Sequence, residues 1–132
     1  MESTSAEEYA RAFYYLQKKN GIARVSELAR YLGVSKAGVS EMLSFMSKKG
    51  LMKTKRYAPA SLTSAGLRLA KKMTFRHRVL EYFLSEKLGM PANRIHAEAS
   101  RLEHAISDDA VERIYSMMGK PKYDPHGSPI VR

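Results

Sequence analysis

The stretch at residues 23–43, ARVSELARYLGVSKAGVSEML, limits what this chain can fold into more than any other part of it. Small Ala29 allows two helices to approach closely, and Gly33, four positions later, supplies the turn between them. The β-branched Val39 then packs the second helix against the first. The spacing predicts a helix-turn-helix, although an ordinary pair of antiparallel helices can show the same small-residue-to-glycine spacing by chance.

Start and stop signals define the helices around this motif. A serine cap opens the first helix of the chain, SAEEYARAFYYLQKKNG, which ends at Asn20–Gly21. Ser26 is predicted to cap the first helix of the motif and Ser35 the second, because a serine hydroxyl can accept from the free amides of a helix start. Gly50 lies where a helix end favours a positive φ.

The segment that follows, LMKTKRYAPASLTSAG, is predicted to form a hairpin. A strand over 51–55 leads to a tip that contains Pro59, and a short strand at Ser61–Leu62 returns. Thr63 then caps a further long helix. A basic hairpin directly after a helix-turn-helix is typical of a wing, which lies beside the phosphate backbone of DNA.

Charge is distributed unevenly along the chain. The formal net charge is +10, and between Lys36 and Arg78 there are eleven basic residues and one acid, Glu41. From Val79 to Met118 the balance reverses, with seven acids and four bases. A cationic half indicates a polyanionic partner, and nucleic acid is the commonest one.

The helix pair, the small polar start of its second helix and the charge together favour double-stranded DNA as the partner. Side chains in the stretch SKAGVSE are short enough for the helix start to enter the major groove. The candidate DNA-binding residues are Ser35, Lys36, Ala37, Gly38 and Ser40 in the helix, and Lys53, Lys55 and Arg56 in the wing.

All four histidines, His77, His96, His104 and His126, lie outside this basic motif, each within a few residues of a carboxylate. A helix would stack His77 and Glu81, four residues apart, as a pair that can chelate a cation. Taken alone, such a pair more often only stabilises its helix. The confinement of the histidines nevertheless indicates metal sites between the helix of His77 and the helix of His96 and His104.

The stretch HAEASRLEH at residues 96–104 carries two of these histidines. On a helix, His96, Ser100, Glu103 and His104 fall within roughly a 100° arc, and Glu98 points to the far side. A solvated polar stripe is the alternative interpretation of so short a cluster.

Composition excludes several classes of protein. The chain has no cysteine, which removes disulfides and zinc–thiolate sites. It has no apolar run near the roughly 18 residues of a membrane span, and its acidic start lacks the features of a signal peptide. We therefore expect a cytoplasmic protein of one domain, or of two small packed ones, with no membrane partner.

These residues resemble the family of iron- and manganese-dependent repressors typified by the diphtheria toxin repressor and the manganese transport regulators. The resemblance covers nearly the whole chain, in the two-domain form without the SH3-like extension. It rests on EEYARAFYYL, the helix-turn-helix, LTSAG, HRVLE, HAEASRLEHAIS and DPHGSPI. It implies a mainly α fold, with a winged helix-turn-helix DNA-binding domain at 1–72 and a helical metal-binding and dimerisation domain at 73–132.

The resemblance also implies two sets of metal ligands. The positions of the family's ancillary site match His77, Glu81 and His96, to which Asp124 and His126 of the tail can be added, as in some relatives. The positions of its primary site match Glu8, Ser100, Glu103 and His104. Relatives have Cys or Glu in place of Ser100, and manganese-type relatives have an acid in place of Arg11.

The function implied is that of a transcriptional repressor, not an enzyme, activated by Fe²⁺ or Mn²⁺. Zn²⁺ and Co²⁺ also suit nitrogen and oxygen ligands. A homodimer would read a pseudo-palindromic operator, with no small-molecule substrate and with dimer contacts from later apolar residues: Leu80, Phe83, Leu84, Ile106, Val111 and Ile114. Two alternatives stay open, namely a relative that has lost or altered metal sensing and a small metalloenzyme built on the His/Glu cluster.

Overall fold

The computed structural model of the chain describes residues 4–132, which fall into two compact units. The first unit ends at Lys71 and the second runs from Lys72 to Arg132. The elements are α1 (Thr4–Asn20), α2 (Val25–Leu32), α3 (Lys36–Lys48), β1 (Met52–Lys53), β2 (Ser61–Leu62), α4 (Ser64–Glu86), α5 (Ala92–Leu102) and α6 (Asp108–Met117). Ser5 lies inside α1 and does not cap it. The predicted fold class, mainly α with a winged helix-turn-helix, is confirmed.

The helix-turn-helix of the first unit follows the predicted pattern. α2 ends at Leu32, and Gly33 adopts the left-handed conformation with φ of 69°. The amide of Val34 donates to the carbonyl oxygen of Ala29 at 3.0 Å, which closes the turn. Val39 is completely buried between the helices. A β-branched side chain at this position therefore packs as the sequence predicts.

One helix start is as predicted and another is not. The hydroxyl of Ser35 accepts a hydrogen bond from the amide of Gly38 at 3.0 Å, so Ser35 caps α3. The prediction that Ser26 caps α2 is wrong, because that helix begins earlier in the chain. The carboxylate of Glu27 accepts from the amide of Arg24 at 3.3 Å and satisfies the helix start in place of a serine.

The wing is present but shorter than predicted. β1 and β2 pair antiparallel, with Lys53 opposite Ser61. The predicted strand over 51–55 ends at Lys53, because the chain then turns and Tyr57 takes a left-handed backbone with φ of 62°.

Thr63, directly after β2, links the turn that follows α3 to the start of α4. Its hydroxyl donates to the carbonyl oxygen of Gly50 at 2.6 Å and accepts from the amide of Gly66 at 3.1 Å. The predicted cap is therefore confirmed, as is the positive φ of Gly50, which is 77°. A Cβ atom at Gly66 would lie 1.9 Å from the carbonyl oxygen of Leu51, so only glycine allows this close approach.

Two apolar clusters form the core of the second unit. They consist of Phe75, Val79, Val111 and Ile130, and of Leu80, Leu84, Ile95 and Ala99. The prediction that Leu80, Leu84 and Val111 contact a partner is wrong, because each is at most 2% exposed and packs inside its own chain. The other three residues of that prediction are only partly buried.

Residues 121–132, called the tail below, fold back onto the helices of the second unit. Ile130 is buried in the cluster with Phe75, and its amide donates to the carbonyl oxygen of Lys122 at 2.8 Å. Arg78 of α4 donates to the carbonyl oxygen of Pro129 at 2.6 Å. The tail is thus part of the packed core. Within the described part of the chain, no helix is both long enough and apolar enough to cross a membrane.

Candidate metal centre and nucleic-acid interface

His77, Glu81 and His96 meet between α4 and α5. His77 and Glu81 are one turn apart on α4, with Nε2 of His77 3.4 Å from Oε1 of Glu81. His96 of α5 places its Nδ1 atom 3.1 Å from Nε2 of His77. One ligand atom from each residue lies within 4.8 Å of the others, a separation that a single cation can span.

The tail brings a second pair of ligands to the same carboxylate. Nδ1 of His126 lies 3.7 Å from Oε2 of Glu81 and 4.0 Å from Oδ2 of Asp124. These three residues also have ligand atoms within 4.8 Å of one another. The two groups share Glu81, so the set predicted for the ancillary site and its tail converges around one side chain.

The carboxylate of Glu81 tests whether this cluster suits a cation. Its side chain is 3% exposed, and among residues 4–132 no donor lies within hydrogen-bond distance of its Oε2 atom. Burial raises the pKa of the Glu81 carboxyl, but the imidazoles of His77, His96 and His126 outweigh this effect and hold the pKa well below its usual range. A buried, ionised oxygen without a donor is costly. The donor set therefore fits a divalent cation.

Glu103 orients His77 from the opposite side of the ring. Its side chain is completely buried, and its Oε1 atom lies 2.7 Å from Nδ1 of His77. An ionised carboxylate can only accept, so Nδ1 carries the hydrogen. A cation binds the neutral ring, in which the lone pair of Nε2 then faces Glu81 and His96. A carboxylate behind a metal-binding histidine commonly has this role.

The other predicted ligands are arranged differently. Neither cluster of three His, Asp or Glu residues found in the described part of the chain includes Glu8, Glu103 or His104. Helix α5 ends at Leu102, and Glu103 caps it with helical backbone angles, its amide donating to the carbonyl oxygen of Ala99 at 2.9 Å. His104 lies in the turn that follows and not on the helix predicted to carry it with His96 and Ser100. Ser100 and His104 are half-buried in the second unit, and Glu8 is half-buried in α1 of the first. Glu98 pairs with Arg101 at 2.7 Å on the surface.

The candidate DNA-binding residues form an exposed, basic surface on the first unit. Ser35, Lys36, Ala37 and Ser40 are exposed at the start of α3, and Gly38 is half-buried beneath them. Lys53, Lys55 and Arg56 are exposed along the wing. This arrangement presents the start of a helix and a cationic hairpin on the same unit, which suits a duplex with phosphates on both sides of a groove.

Two residues near these sites were not predicted, Tyr57 and Arg78. Tyr57 at the wing tip is 93% exposed, and the guanidinium of Arg56 lies 5.3 Å from its ring centroid. An aromatic residue within the basic stretch KRYAP was the available signal. Arg78, which holds the tail, carried no such signal, because its partner is a backbone carbonyl 51 residues away.

Sequence models of a known family match both parts of the chain. The model described as iron dependent repressor, N-terminal DNA binding domain, matches residues 1–60. The model described as iron dependent repressor, metal binding and dimerisation domain, matches residues 63–132. The two matches together cover almost the entire chain.

Individual relatives agree with this assignment. A helix-turn-helix-type transcriptional regulator of Methanocaldococcus jannaschii, itself uncharacterised, is 32% identical over 121 residues, which are 91% of this chain and 97% of the relative. The regulator MntR of Shouchella clausii is 33% identical over 114 residues, covering 86% of this chain and 79% of the relative.

A solved structure of a manganese-dependent transcriptional repressor with manganese superposes with a TM-score of 0.85 at 35% identity. The match covers 96% of this chain and 58% of the repressor, so the chain spans less than two thirds of that protein. The chain belongs to the iron-dependent repressor family, with a DNA-binding part followed by a metal-binding and dimerisation part.

Proposed function

We propose that the chain is a transcriptional repressor of metal-homeostasis genes whose binding to DNA is activated by Fe²⁺ or Mn²⁺. The observation that carries the proposal is the Oε2 atom of Glu81, a buried carboxylate oxygen without a donor among the described residues, surrounded by imidazoles. A solvated polar stripe would not bury an unsatisfied charge in this way. Membership of the family supplies the link to DNA.

We assign the cation to five residues: His77, Glu81, His96, Asp124 and His126. Nitrogen and oxygen ligands without sulfur suit Fe²⁺ and Mn²⁺, and Zn²⁺ and Co²⁺ also bind such sets. When bound, the cation supplies positive charge that balances the carboxylates and ties α4, α5 and the tail together. Glu103 supports this set by fixing the tautomer of His77.

The second ligand set, Glu8, Ser100, Glu103 and His104, stays a prediction. A serine hydroxyl is neutral and binds divalent cations weakly compared with a carboxylate or a thiolate. We therefore expect tighter binding at the Glu81 cluster. The number of ions bound per chain, measured by titration against a chelator, distinguishes one functional site from two.

For the DNA-binding part we propose residues 1–72, and for the metal-binding and dimerisation part residues 73–132. Two copies of α3 and of the wing in a homodimer would read the two halves of a pseudo-palindromic operator in the cytoplasm. Activation requires that the cation bind the DNA-competent arrangement more tightly than the alternative one. By linkage, DNA then tightens metal binding by the same factor.

A second candidate is a DNA-binding regulator of the same family that has lost or altered metal sensing. Two departures from the family pattern favour it, namely Ser100 and Arg11, since relatives carry ligating residues at the matching positions. Arg11 is only 6% exposed and so is fixed in the packed structure of α1. The family consists of transcriptional repressors, and we therefore propose no catalytic residue.

One experiment separates the two candidates. An operator duplex is selected from a random library with Mn²⁺ present, and its affinity is measured by fluorescence anisotropy without metal and with Mn²⁺, Fe²⁺, Co²⁺ or Zn²⁺. Glu81→Gln should abolish the metal dependence, and Glu98→Gln, at an exposed surface pair on α5, should preserve it. Equal affinity of the wild type with and without every metal would support the second candidate and overturn the first.

A further inference from the structure

The tail supplies two of the five proposed ligands, and its loop is organised by one of them. Oδ1 of Asp124 accepts from the amides of His126 at 2.9 Å and Ser128 at 2.8 Å. The amide of Gly127, which has φ of 84°, donates to the carbonyl oxygen of Asp124 at 3.0 Å. Asp124 thus shapes the loop with Oδ1, while its Oδ2 atom faces the imidazole of His126.

The loop is not held against Glu81 by any close contact of its own ligating atoms. His126 has a side chain that is 54% exposed, and its Nδ1 atom is 3.7 Å from Glu81, beyond hydrogen-bond distance. What fixes the loop must therefore lie further along the tail. Arg78 and the burial of Ile130 contribute, as described above.

A third attachment lies at Arg132, a few residues beyond the tail ligands Asp124 and His126. Its guanidinium forms a two-pronged ion pair with both carboxylate oxygens of Glu112 on α6. The same guanidinium lies 5.1 Å from the ring centroid of Phe75 and 5.6 Å from that of Tyr115, and these rings pack edge to face. A planar cation on two aromatic rings, paired with a carboxylate, is a specific arrangement that lysine does not reproduce.

We propose that Arg132 is a positioning residue for the metal centre, which it serves by anchoring the tail so that Asp124 and His126 stay next to Glu81. This inference rests on the proposed function, because it concerns affinity for the cation. If the loop is detached for part of the time, Asp124 and His126 can bind the cation only during the remaining time. The measured dissociation constant then equals the intrinsic one divided by the fraction of chains in which the loop is in place. Groups hydrogen-bonded to metal ligands commonly change affinity by roughly tenfold or more. Arg132 acts one step further out, through a pair whose side chains are 60% and 40% exposed, so we expect a smaller, several-fold loss.

The test compares Arg132→Met with Arg113→Met. Arg113 belongs to the same unit and pairs with Asp109 at 3.0 Å, another exposed ion pair of α6, but one that includes no residue of the tail. Affinity for Mn²⁺ and Zn²⁺ is measured by competition with a chelator, and the mobility of residues 122–131 by amide hydrogen exchange in the metal-free chain. Arg132→Met should weaken both affinities several-fold and speed exchange in the tail, and Arg113→Met should do neither.

A double-mutant cycle distinguishes positioning from general destabilisation. In a His126→Ala, Asp124→Asn background the cation is left to α4 and α5, so adding Arg132→Met should have no further effect on affinity. A loss of equal size in both backgrounds would overturn the proposal. The metal affinity of Arg132→Lys should lie between those of the wild type and Arg132→Met. Glu112→Gln, which removes the charge of the ion-pair partner, should also weaken metal binding.

The outcomes also separate this inference from the proposed function. If the wild type binds metal and Arg132→Met binds it within twofold, only the anchoring role is overturned. If the wild type binds no divalent cation at all, both proposals are wrong.

Discussion

The Nδ1 atom of His77 lies 2.7 Å from a carboxylate oxygen of Glu103, a residue 26 positions later in the chain and completely buried. The contact joins α4 to the turn after α5 and fixes which ring nitrogen carries the hydrogen. The position of the lone pair in the Glu81 cluster therefore depends on a residue that faces the other side of the ring.

This relationship predicts the effect of Glu103→Ala. Without its acceptor, His77 loses its fixed tautomer, and we expect Mn²⁺ affinity to fall by about tenfold to a hundredfold at unchanged stoichiometry. Glu103→Gln keeps an acceptor oxygen and should lose less, and Glu98→Ala on the surface of α5 is the control. Isothermal titration measures both quantities. Loss of one bound ion per chain, with the remaining affinity intact, would instead assign Glu103 to the second ligand set.

The close approach of Gly66 to the carbonyl oxygen of Leu51 predicts that replacing this helical glycine by alanine destabilises the protein. Replacing glycine by alanine inside a helix usually stabilises a protein by up to about 1 kcal/mol. Here the new Cβ would lie 1.9 Å from the carbonyl oxygen of Leu51, and backbone must move. We expect Gly66→Ala to lower the free energy of unfolding by about 1–3 kcal/mol. Urea denaturation checks this against Ser64→Ala, and a stabilised Gly66→Ala variant would contradict the observed packing.

Asp108 makes a pH-dependent contribution to stability. The hydrogen bond from buried Arg76 is the main cause that lowers the pKa of this carboxyl, with further help from the charges of Arg76 and Lys72. A carboxyl with a lowered pKa in the folded state stabilises the fold above its ordinary pKa of 3.8 and stops doing so as the pH falls further.

We therefore expect Asp108→Asn to be less stable than wild type at pH 7, with the difference shrinking as the pH falls below about 4. Because the side chain is 72% exposed, screening keeps the effect below about 1 kcal/mol. Thermal denaturation at pH 7, 4 and 3 measures it. Asp109→Asn, in the same first turn of α6, controls for the helix dipole, and a difference that grows toward low pH would disprove the assigned sign.

The wing predicts a change in the salt dependence of DNA binding. Log affinity for DNA falls as log salt concentration rises, and each basic side chain that contacts a phosphate steepens this slope by about 0.9. Lys53→Ala and Arg56→Ala should each lower the slope by about that amount on a random-sequence duplex of about 30 base pairs. Lys87→Ala, an exposed lysine of the second unit, should leave it unchanged. Unchanged slopes for both wing variants would exclude phosphate contacts by the wing.

Local patterns were sufficient to predict most of the first unit. Ala29, Gly33 and Val39 define the helix-turn-helix through size and backbone preference alone, and Ser35 and Thr63 cap the helices that they precede. The prediction for Ser26 was wrong because a serine hydroxyl is only one of the groups that can accept from the amides at a helix start. A glutamate three residues inside α2 accepts from the Arg24 amide and sets the start of that helix.

The centre in the second unit was predictable only in part. His77 and Glu81 are adjacent on α4 because of helical spacing. Tertiary packing, by contrast, places His96, Asp124 and His126 next to Glu81. The resemblance to the repressor family supplied that information. It could not supply the role that we propose for Arg132, because an ion pair and two ring contacts across the fold leave no periodic pattern in the sequence.

In the proposed metal centre, Asp124 would use Oδ1 to shape its loop and leave Oδ2 for the ion. A descendant that no longer needed the ion would still need an acceptor for the amides of His126 and Ser128. Asparagine could provide it, but alanine could not. Divergence at this single position would therefore record whether a lineage has kept metal binding, even where its tail remains folded.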